Sequence, residues 1–407
     1  MTDWGARAAA LLGELAEFSG PGPGVTRLPF TPEHRAALDL LSARMQRAGL
    51  MVTLDDAGTL VGRLEGEPGR GTLMMGSHQD SVREGGAYDG ILGVVLPILA
   101  LEKLREEGVA VPVSVEVLAF ADEEGVRFPT ALVGSRALAG TVDPAVLNME
   151  DAGGTSLRNA ITGFGLSPDR IGALKRNRQD VIGFIETHIE QGPVLEREAE
   201  ALGVVSAICG IERHRIALTG EMGHAGTLPM EGRRDALVGA AAIITEVNRI
   251  ANATPDLRAT VGALAIEPNV VNAVPRAARL TAEFRSSHDE TRRTAGDHLH
   301  AFARQVADDI GLGLDCERTY QQPVQPCSPD LSKRLVNAVK QAGGKGLVLP
   351  SGATHDASAM ADLCPVAMLF VRCRDGVSHK PEEYAAPKDL GRAVEVLAAV
   401  LESMTWA

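Results

Sequence analysis

The sequence predicts an α/β protein of two domains: a mixed, mostly parallel sheet with helices on both faces, and a smaller βαββαβ domain inserted into it. Three observations lead there. A chain of 407 residues is longer than one hydrophobic core usually serves. Apolar, β-branched runs alternate with helical patterns, as in parallel strands joined by crossover helices. Between about residues 211 and 324 the pattern changes to long alternating strands and two long helices, in the order of a split β-α-β unit.

The N-terminal MTDWGARAAALLGELAEF reads as an amphipathic helix carrying Asp3, Arg7, Glu14 and Glu17. Those charges leave no apolar signal-peptide region, and no stretch reaches membrane-spanning length. Residues 71–76 read as a strand, and 91–108 (ILGVVLPILALEKLREEG) as a helix that Pro97 should kink. Strands follow at 112–121 (PVSVEVLAFA) and 181–185. The inserted segment reads as strand 214–220, helix 233–252, strands 258–267 and 277–287, helix 289–311 and strand 312–320. Beyond about residue 324 the chain should return to the first sheet, whose last strand is 365–371 (PVAMLFV). The expected domains are thus 1–210 with 325–407, and 211–324.

Aromatic residues make up only 3% of the chain, so the core must be built from Ala, Leu, Val and Ile. A net charge of -13 argues against a nucleic-acid partner, which would need a basic face. The five cysteines are scattered and odd in number, which fits a reduced, cytoplasmic protein with buried thiols and no membrane partner.

The chemistry lies at the strand ends. The first strand runs into Ser77-His78-Gln79-Asp80, the second into Asp122-Glu123-Glu124, and the third into Glu186-Thr187-His188. A short loop after the fourth leads to Ser378-His379. In an open parallel sheet all carboxyl ends of strands face one edge, where ligands bind. Four sequence-distant clusters should therefore converge. Imidazoles and carboxylates together form a ligand set for zinc or manganese.

Asp89, after the glycines of GGAYDG, suits a carboxylate bridging two ions. Asp80, two residues past His78, is placed to accept the other imidazole N–H. Adjacent Glu123 and Glu124 point opposite ways in extended chain, so one can bind metal while the other serves as general base. Which does which is left open by spacing alone. Taken singly, His78 could be a core histidine and Asp89 a turn residue. Those readings do not explain four strand ends all finishing in ligand-type residues.

Seven ordered motifs, GSHQDSV, GGAYDGILGV, FADEEGVRFP, ETHIEQGPVLE, GHAGTLPM, NVVNAVP and GVSHKPEE, resemble the amidase, hydantoinase/carbamoylase group of the dinuclear-metal M20 peptidase superfamily. That group includes N-carbamoyl-L-amino-acid hydrolases, β-ureidopropionases and allantoate amidohydrolases. The resemblance runs from about residue 20 to the C-terminus. It implies a hydrolase of ureido C–N bonds with two divalent ions per subunit, Zn2+ or Mn2+, with Co2+ or Ni2+ as substitutes. It also implies a small ureido carboxylate substrate and a homodimer.

Carried over by motif, His78, Asp89, Glu124, His188 and His379 become metal ligands, Asp89 the bridge and Glu123 the general base. The inserted domain becomes a lid and dimerisation domain. His224 would polarise the scissile carbonyl, reaching the partner subunit's site. Asn272 and Arg285 would hold the substrate carboxylate, Gln191 would line the ureido pocket, and Gly352 and His355 would belong to a loop closing over the substrate. Peptidase relatives are expected to have a carboxylate at position 188, so His188 points to the carbamoylase branch. Two departures stand out: HQDSV where similar enzymes often read HLDTV, and Glu221-Met222-Gly223 ahead of His224 where they often read Asn. The second bears on the substrate more than on the chemistry.

Overall fold

The computed structural model describes residues 2–404. They form two compact units, one of residues 2–206, 327–349 and 353–404, the other of residues 207–326 and 350–352. Met1 and residues 405–407, the ends of the span expected for the first domain, lie outside the described residues.

In chain order the strands are β1 (Met51–Leu54), β2 (Leu60–Leu64), β3 (Thr72–His78), β4 (Ser114–Phe120), β5 (Val181–Ile189), β6 (Leu202–Ile208), β7 (Gly210–Thr219), β8 (Gly223–His224), β9 (Arg258–Glu267), β10 (Ala273–Val274), β11 (Ala277–Ser286), β12 (Gly313–Gln322), β13 (Gln325–Pro326), β14 (Leu347–Ser351) and β15 (Val366–Val371).

The larger sheet has a parallel centre, β4-β3-β5-β15. These are the four apolar runs picked out above. Antiparallel β2 and β1 flank it on one side and antiparallel β6 on the other. Every residue of β3, β4 and β15 is buried, as expected of parallel strands covered on both faces.

Strand parity divides the two faces. Leu73, Met75, Val115, Val117, Ala119, Ile185, Ala367 and Leu369 join the main core with helices Leu92–Glu106 and Pro387–Glu402. The opposite parity carries His78, Glu186 and His188, so the polar residues share a face away from that core.

Strand β5 runs to Ile189, four residues beyond the apolar run. The expected strand stopped short because Glu186, Thr187 and His188 are polar. They continue the ladder because the sheet supplies partners: β15 pairs alongside as far as Ile189, and Ser77 Oγ donates to Glu186 at 2.6 Å. The hairpin β1–β2 and strand β6 were not foreseen.

Two glycines explain the loop after β3. A Cβ on Gly90, whose φ is +65°, would lie 2.3 Å from the His78 ring, and one on Gly93 would lie 2.2 Å from the Thr187 carbonyl. Only glycine lets the loop lie against β3 at Gly90 and the following helix start against β5 at Gly93.

The second unit is an antiparallel sheet in the order β12-β7-β11-β9. Helices Ala236–Ala253 and Asp289–Ile310 pack on it through Ile216, Leu218, Leu280, Phe284, Ile243 and Leu299. The Asp235 carboxylate caps the first of these, accepting from the N–H groups of Leu237 and Val238 at 3.0 and 3.2 Å. A two-stranded ribbon, β8 with β10, leaves the Thr219/Ala277 end of the sheet. The compact unit also takes in residues 350–352, a return that chain order does not reveal.

Candidate metal centre

Within the first unit, the ends of β3, β5 and the loops after β4 and β15 bring five ligand-type side chains together. Asp89 stands in the middle. Its Oδ1 lies 3.0 Å from His188 Nε2 and 3.6 Å from His78 Nε2, and its Oδ2 lies 3.4 Å from His379 Nε2. Glu124 Oε1 is 3.7 Å from the same His379 nitrogen. Three ligand sets result, His78-Asp89-His188, Asp89-Glu124-His379 and His78-Glu123-Glu124, each with its donor atoms within 4.8 Å of one another. Asp89 belongs to the first two.

The imidazole tautomers follow from the backbone. His78 Nδ1 faces the Asp80 carbonyl at 2.9 Å, and His188 Nδ1 faces the Ile189 carbonyl at 2.9 Å. A carbonyl only accepts, so both protons sit on Nδ1 and both Nε2 lone pairs face the Asp89 carboxylate. Lone pairs meeting at this range repel unless a cation or extra protons lie between them. Glu124 Oε1 is likewise buried without a hydrogen-bond donor. The donor set, the aimed lone pairs and this orphaned oxygen all fit a divalent cation.

The electrostatics agree. Burial would lower the His78 imidazole, but hydrogen bonding to Asp89 and the charges of Glu123, Asp80 and Glu124 raise it well above its ordinary value. His188 is raised too: burial opposes this, and Asp89 outweighs it. Asp89 itself is held well below the usual range, because His188 and His78 outweigh its burial. Burial, with repulsion from Asp89 and Asp80, pushes Glu124 up to about 8 against the pull of His78. Without an ion, the cluster holds protons where a cation would sit.

A pH dependence follows. Between about pH 4.5 and 8 the folded metal-free protein binds a proton at Glu124 that the unfolded chain has released, so its stability falls as pH rises. The raised histidines add the same sign above their unfolded value of 6.5. An ion displaces these protons, so its apparent affinity should rise with pH from 6 through about 8, where Glu124 gives up its proton. Metal titrations at three pH values, in buffers of different ionisation enthalpy, would check both the trend and the proton release.

Glu123 is buried, and its carboxyl is raised well above the usual range by burial and by Glu124, Asp356 and Asp80, which outweigh the attraction of His78. Asp80 differs from expectation. Its carboxylate is 4.0 Å from the His78 ring and instead accepts from the backbone N–H groups of Glu123 and Glu124 at 3.3 and 3.2 Å. The chain turns after His78 so that the carbonyl of Asp80 meets the ring, leaving its side chain to hold the two glutamates.

Gln191 reaches the bridging position as well. Its amide donates to Asp89 Oδ2 at 2.9 Å, alongside Ser378 Oγ at 2.6 Å. Gln191 and His379 both hold positive φ, 55° and 59°, a conformation found where geometry at a site is over-determined. His355 is buried, its ring edge-on to His188 at 4.6 Å, and burial together with His188 holds it well below its ordinary value.

The other expected residues lie in the second unit. Arg285 donates to Glu283 at 2.7 Å and to the Gly352 carbonyl at 2.8 Å, and a Cβ on Gly352 would meet open space. His224 pairs across the ribbon with Ala273, beside Asn272, whose carbonyl accepts from Ala225 at 3.0 Å. Both His224 and Asn272 are exposed.

Reading the sequence placed Glu186 and Ser378 at the strand ends without giving either a role, and it missed Glu383. Glu186 was discoverable: two residues before His188, it had to share that face of the strand. Glu383 had only its place in Lys380-Pro381-Glu382-Glu383 to mark it.

Residues 74–403 match the family described as peptidase family M20/M25/M40. An N-carbamoyl-L-amino-acid amidohydrolase of Paenarthrobacter aurescens is 41% identical over 399 residues, spanning 96% of each chain. An allantoate amidohydrolase of Escherichia coli is 34% identical, over 95% of this chain and 94% of its own. The crystal structure of a hydantoinase/carbamoylase-family amidase from Burkholderia multivorans matches with a TM-score of 0.91 at 32% identity, covering 98% of this chain and 97% of that one.

Proposed function

The chain belongs to peptidase family M20/M25/M40, and from that premise we propose that it is a dinuclear amidohydrolase cleaving the ureido C–N bond of N-carbamoyl-L-amino acids. The observation that carries this is Asp89 set between two ligand groups, with Glu123 beside them. Similarity to the Paenarthrobacter amidohydrolase over 96% of both chains supports the substrate class.

His78, Asp89 and His188 would hold one ion, and Asp89, Glu124 and His379 the other. Bound there, divalent ions supply Lewis acidity toward water and the substrate carbonyl. Histidine and carboxylate suit zinc or manganese, with cobalt or nickel as substitutes.

Glu123 takes the proton of the attacking water and returns it to the departing amino nitrogen. Asp80 fixes the Glu123 backbone during that transfer. One water added to R–NH–CO–NH2 gives R–NH2 and carbamic acid, which breaks down to carbon dioxide and ammonia. Arg285, with Asn272, holds the substrate carboxylate, and His224 donates its N–H to the developing oxyanion. Gln191 would line the ureido group, and Gly352 and His355 would belong to a segment that closes over the substrate.

A homodimer is part of this reading. Arg285 lies next to the last residue of β11, whereas His224 leaves from the Ala277 end. At ~3.3 Å per strand residue, about 26 Å separates those ends, more than one small substrate can span. His224, and Asn272 beside it on the ribbon, would therefore both serve the partner subunit's site, through the inserted unit acting as lid and dimerisation domain. Edge strand β9 supports this, presenting exposed Ala263, Leu264 and Ala265 with no neighbouring strand on its outer side among the described residues.

Separate Arg285→Ala and His224→Ala dimers should be nearly inactive. Mixed and re-equilibrated, they should regain about a quarter of wild-type activity, because half the dimers then carry one intact site. Arg285→Lys should raise KM by roughly 10–100-fold with a smaller change in kcat, measured in steady-state kinetics.

The five cysteines are all thiols, and among the described residues no helix is long and apolar enough to cross a membrane. A reducing, cytoplasmic setting is proposed on that basis.

Ammonia release by manganese-reconstituted protein, with N-carbamoyl-L-methionine and allantoate at matched concentrations, tests the substrate. Faster turnover of the carbamoyl amino acid is expected. Faster allantoate turnover would place the same residues on a substrate with two ureido groups, as the similarity to the Escherichia coli enzyme would favour.

A further inference from the structure

We propose that Glu383 is a positioning residue that locks the bridging carboxylate of Asp89 to the segment carrying His379, and so sets the affinity of the shared metal site. This rests on the reading of Asp89, Glu124 and His379 as metal ligands.

Glu383 is buried, and a single oxygen of its carboxylate, Oε1, accepts from the backbone N–H groups of both Tyr88 and Asp89, each at 2.9 Å. It lies four residues after His379, in a turn closed by its own N–H donating to the Lys380 carbonyl at 3.1 Å. The ligand loop yields to it as well. A Cβ on Gly86 would sit 2.2 Å from the Glu383 carboxyl carbon, so this position of GGAYDG is glycine to let the carboxylate in.

Three contacts thus tie one segment to one ligand. Glu383 fixes the Asp89 backbone, Ser378 Oγ donates to Asp89 Oδ2 at 2.6 Å, and His379 Nε2 faces that same oxygen at 3.4 Å. Ser378 and Glu383 orient Asp89 from both ends, one through the side chain and one through the main chain. A carboxylate that must serve two ions at once tolerates little rotation, so losing the backbone anchor costs affinity before it costs fold.

The test uses the full-length apoprotein titrated with Mn2+ by calorimetry, with metal content measured after dialysis and the metal-free thermal midpoint recorded alongside. Glu383→Ala should weaken Mn2+ binding about 10–100-fold, with the sharper loss at the position shared with His379. Glu383→Gln, which keeps a carbonyl acceptor, should recover most of that loss. Gly86→Ala, which pushes the carboxylate aside without removing it, should reproduce the Glu383→Ala defect. Glu382→Ala, changing the exposed neighbour, should titrate like wild type.

Wild-type titration curves from Glu383→Ala and Gly86→Ala would overturn the proposal. So would an equal loss from Glu382→Ala, which would make the effect a general property of the loop. A wild-type chain that bound no Mn2+ would instead overturn the metal reading beneath it.

Discussion

Glu123→Gln should lower turnover by about 10²–10⁴-fold while leaving metal content and substrate KM close to wild type. The substitution keeps the shape of a buried side chain and leaves the Glu123 N–H free to reach Asp80 as before. It removes only the capacity to take and return a proton. Glu124, one residue on, should behave in the opposite way: Glu124→Gln removes a ligand from the Asp89-Glu124-His379 set and should lower metal content along with rate. The pair separates two roles that adjacency alone could not assign. Parallel measurement of kcat, KM and bound metal in both variants would settle the division, and full activity in Glu123→Gln would show that the proton is carried elsewhere.

Asp89→Asn should have the larger effect, because it acts on both ligand sets that contain it. An amide in place of the carboxylate removes the charge that faces three imidazoles, His188, His78 and His379. It also leaves Gln191 and Ser378, both donors to Oδ2, facing a group that can present an N–H of its own. Both ions should be lost and activity should fall to background. The metal-free fold should survive, since Asp89 sits at a loop and most of its contacts are to other polar groups of the site. Thermal unfolding distinguishes the cases: wild type should melt higher on adding Mn2+, and Asp89→Asn should melt at one temperature with or without it. A metal-dependent shift in the variant would mean that ions bind without the bridge.

The parts of this account that were legible in the sequence share a physical cause. The four central strands are buried on both faces, so they appear as mainly apolar runs, and a parallel sheet gathers their carboxyl ends whatever the intervening chain does. His78, Asp89, Glu124, His188 and His379 could therefore be placed together without coordinates. Local geometry was harder to read. The spacing of His78 and Asp80 is the same whether the ring meets the carboxylate or the carbonyl, and the turn of the chain chose the carbonyl. Gln191, expected to line the ureido pocket, also donates to Asp89, a contact across 102 residues of chain that no local pattern marks. Glu383 reaches Asp89 across 294 residues of chain, and no local pattern announces such a contact. The end of β5 was lost because a polar residue in a strand is readable only once its partner, such as Ser77 for Glu186, is known.

The central claim is that four strand ends of this chain build one site for two divalent ions that share Asp89. Its most direct test is the stoichiometry of Mn2+ bound to the chelated, then reconstituted, wild-type protein, followed with ammonia release from N-carbamoyl-L-methionine at each point of the titration. Binding should saturate at two ions per chain, with turnover completing only as the second is bound. Saturation at one ion with full activity, or activity that survives chelation, would contradict it.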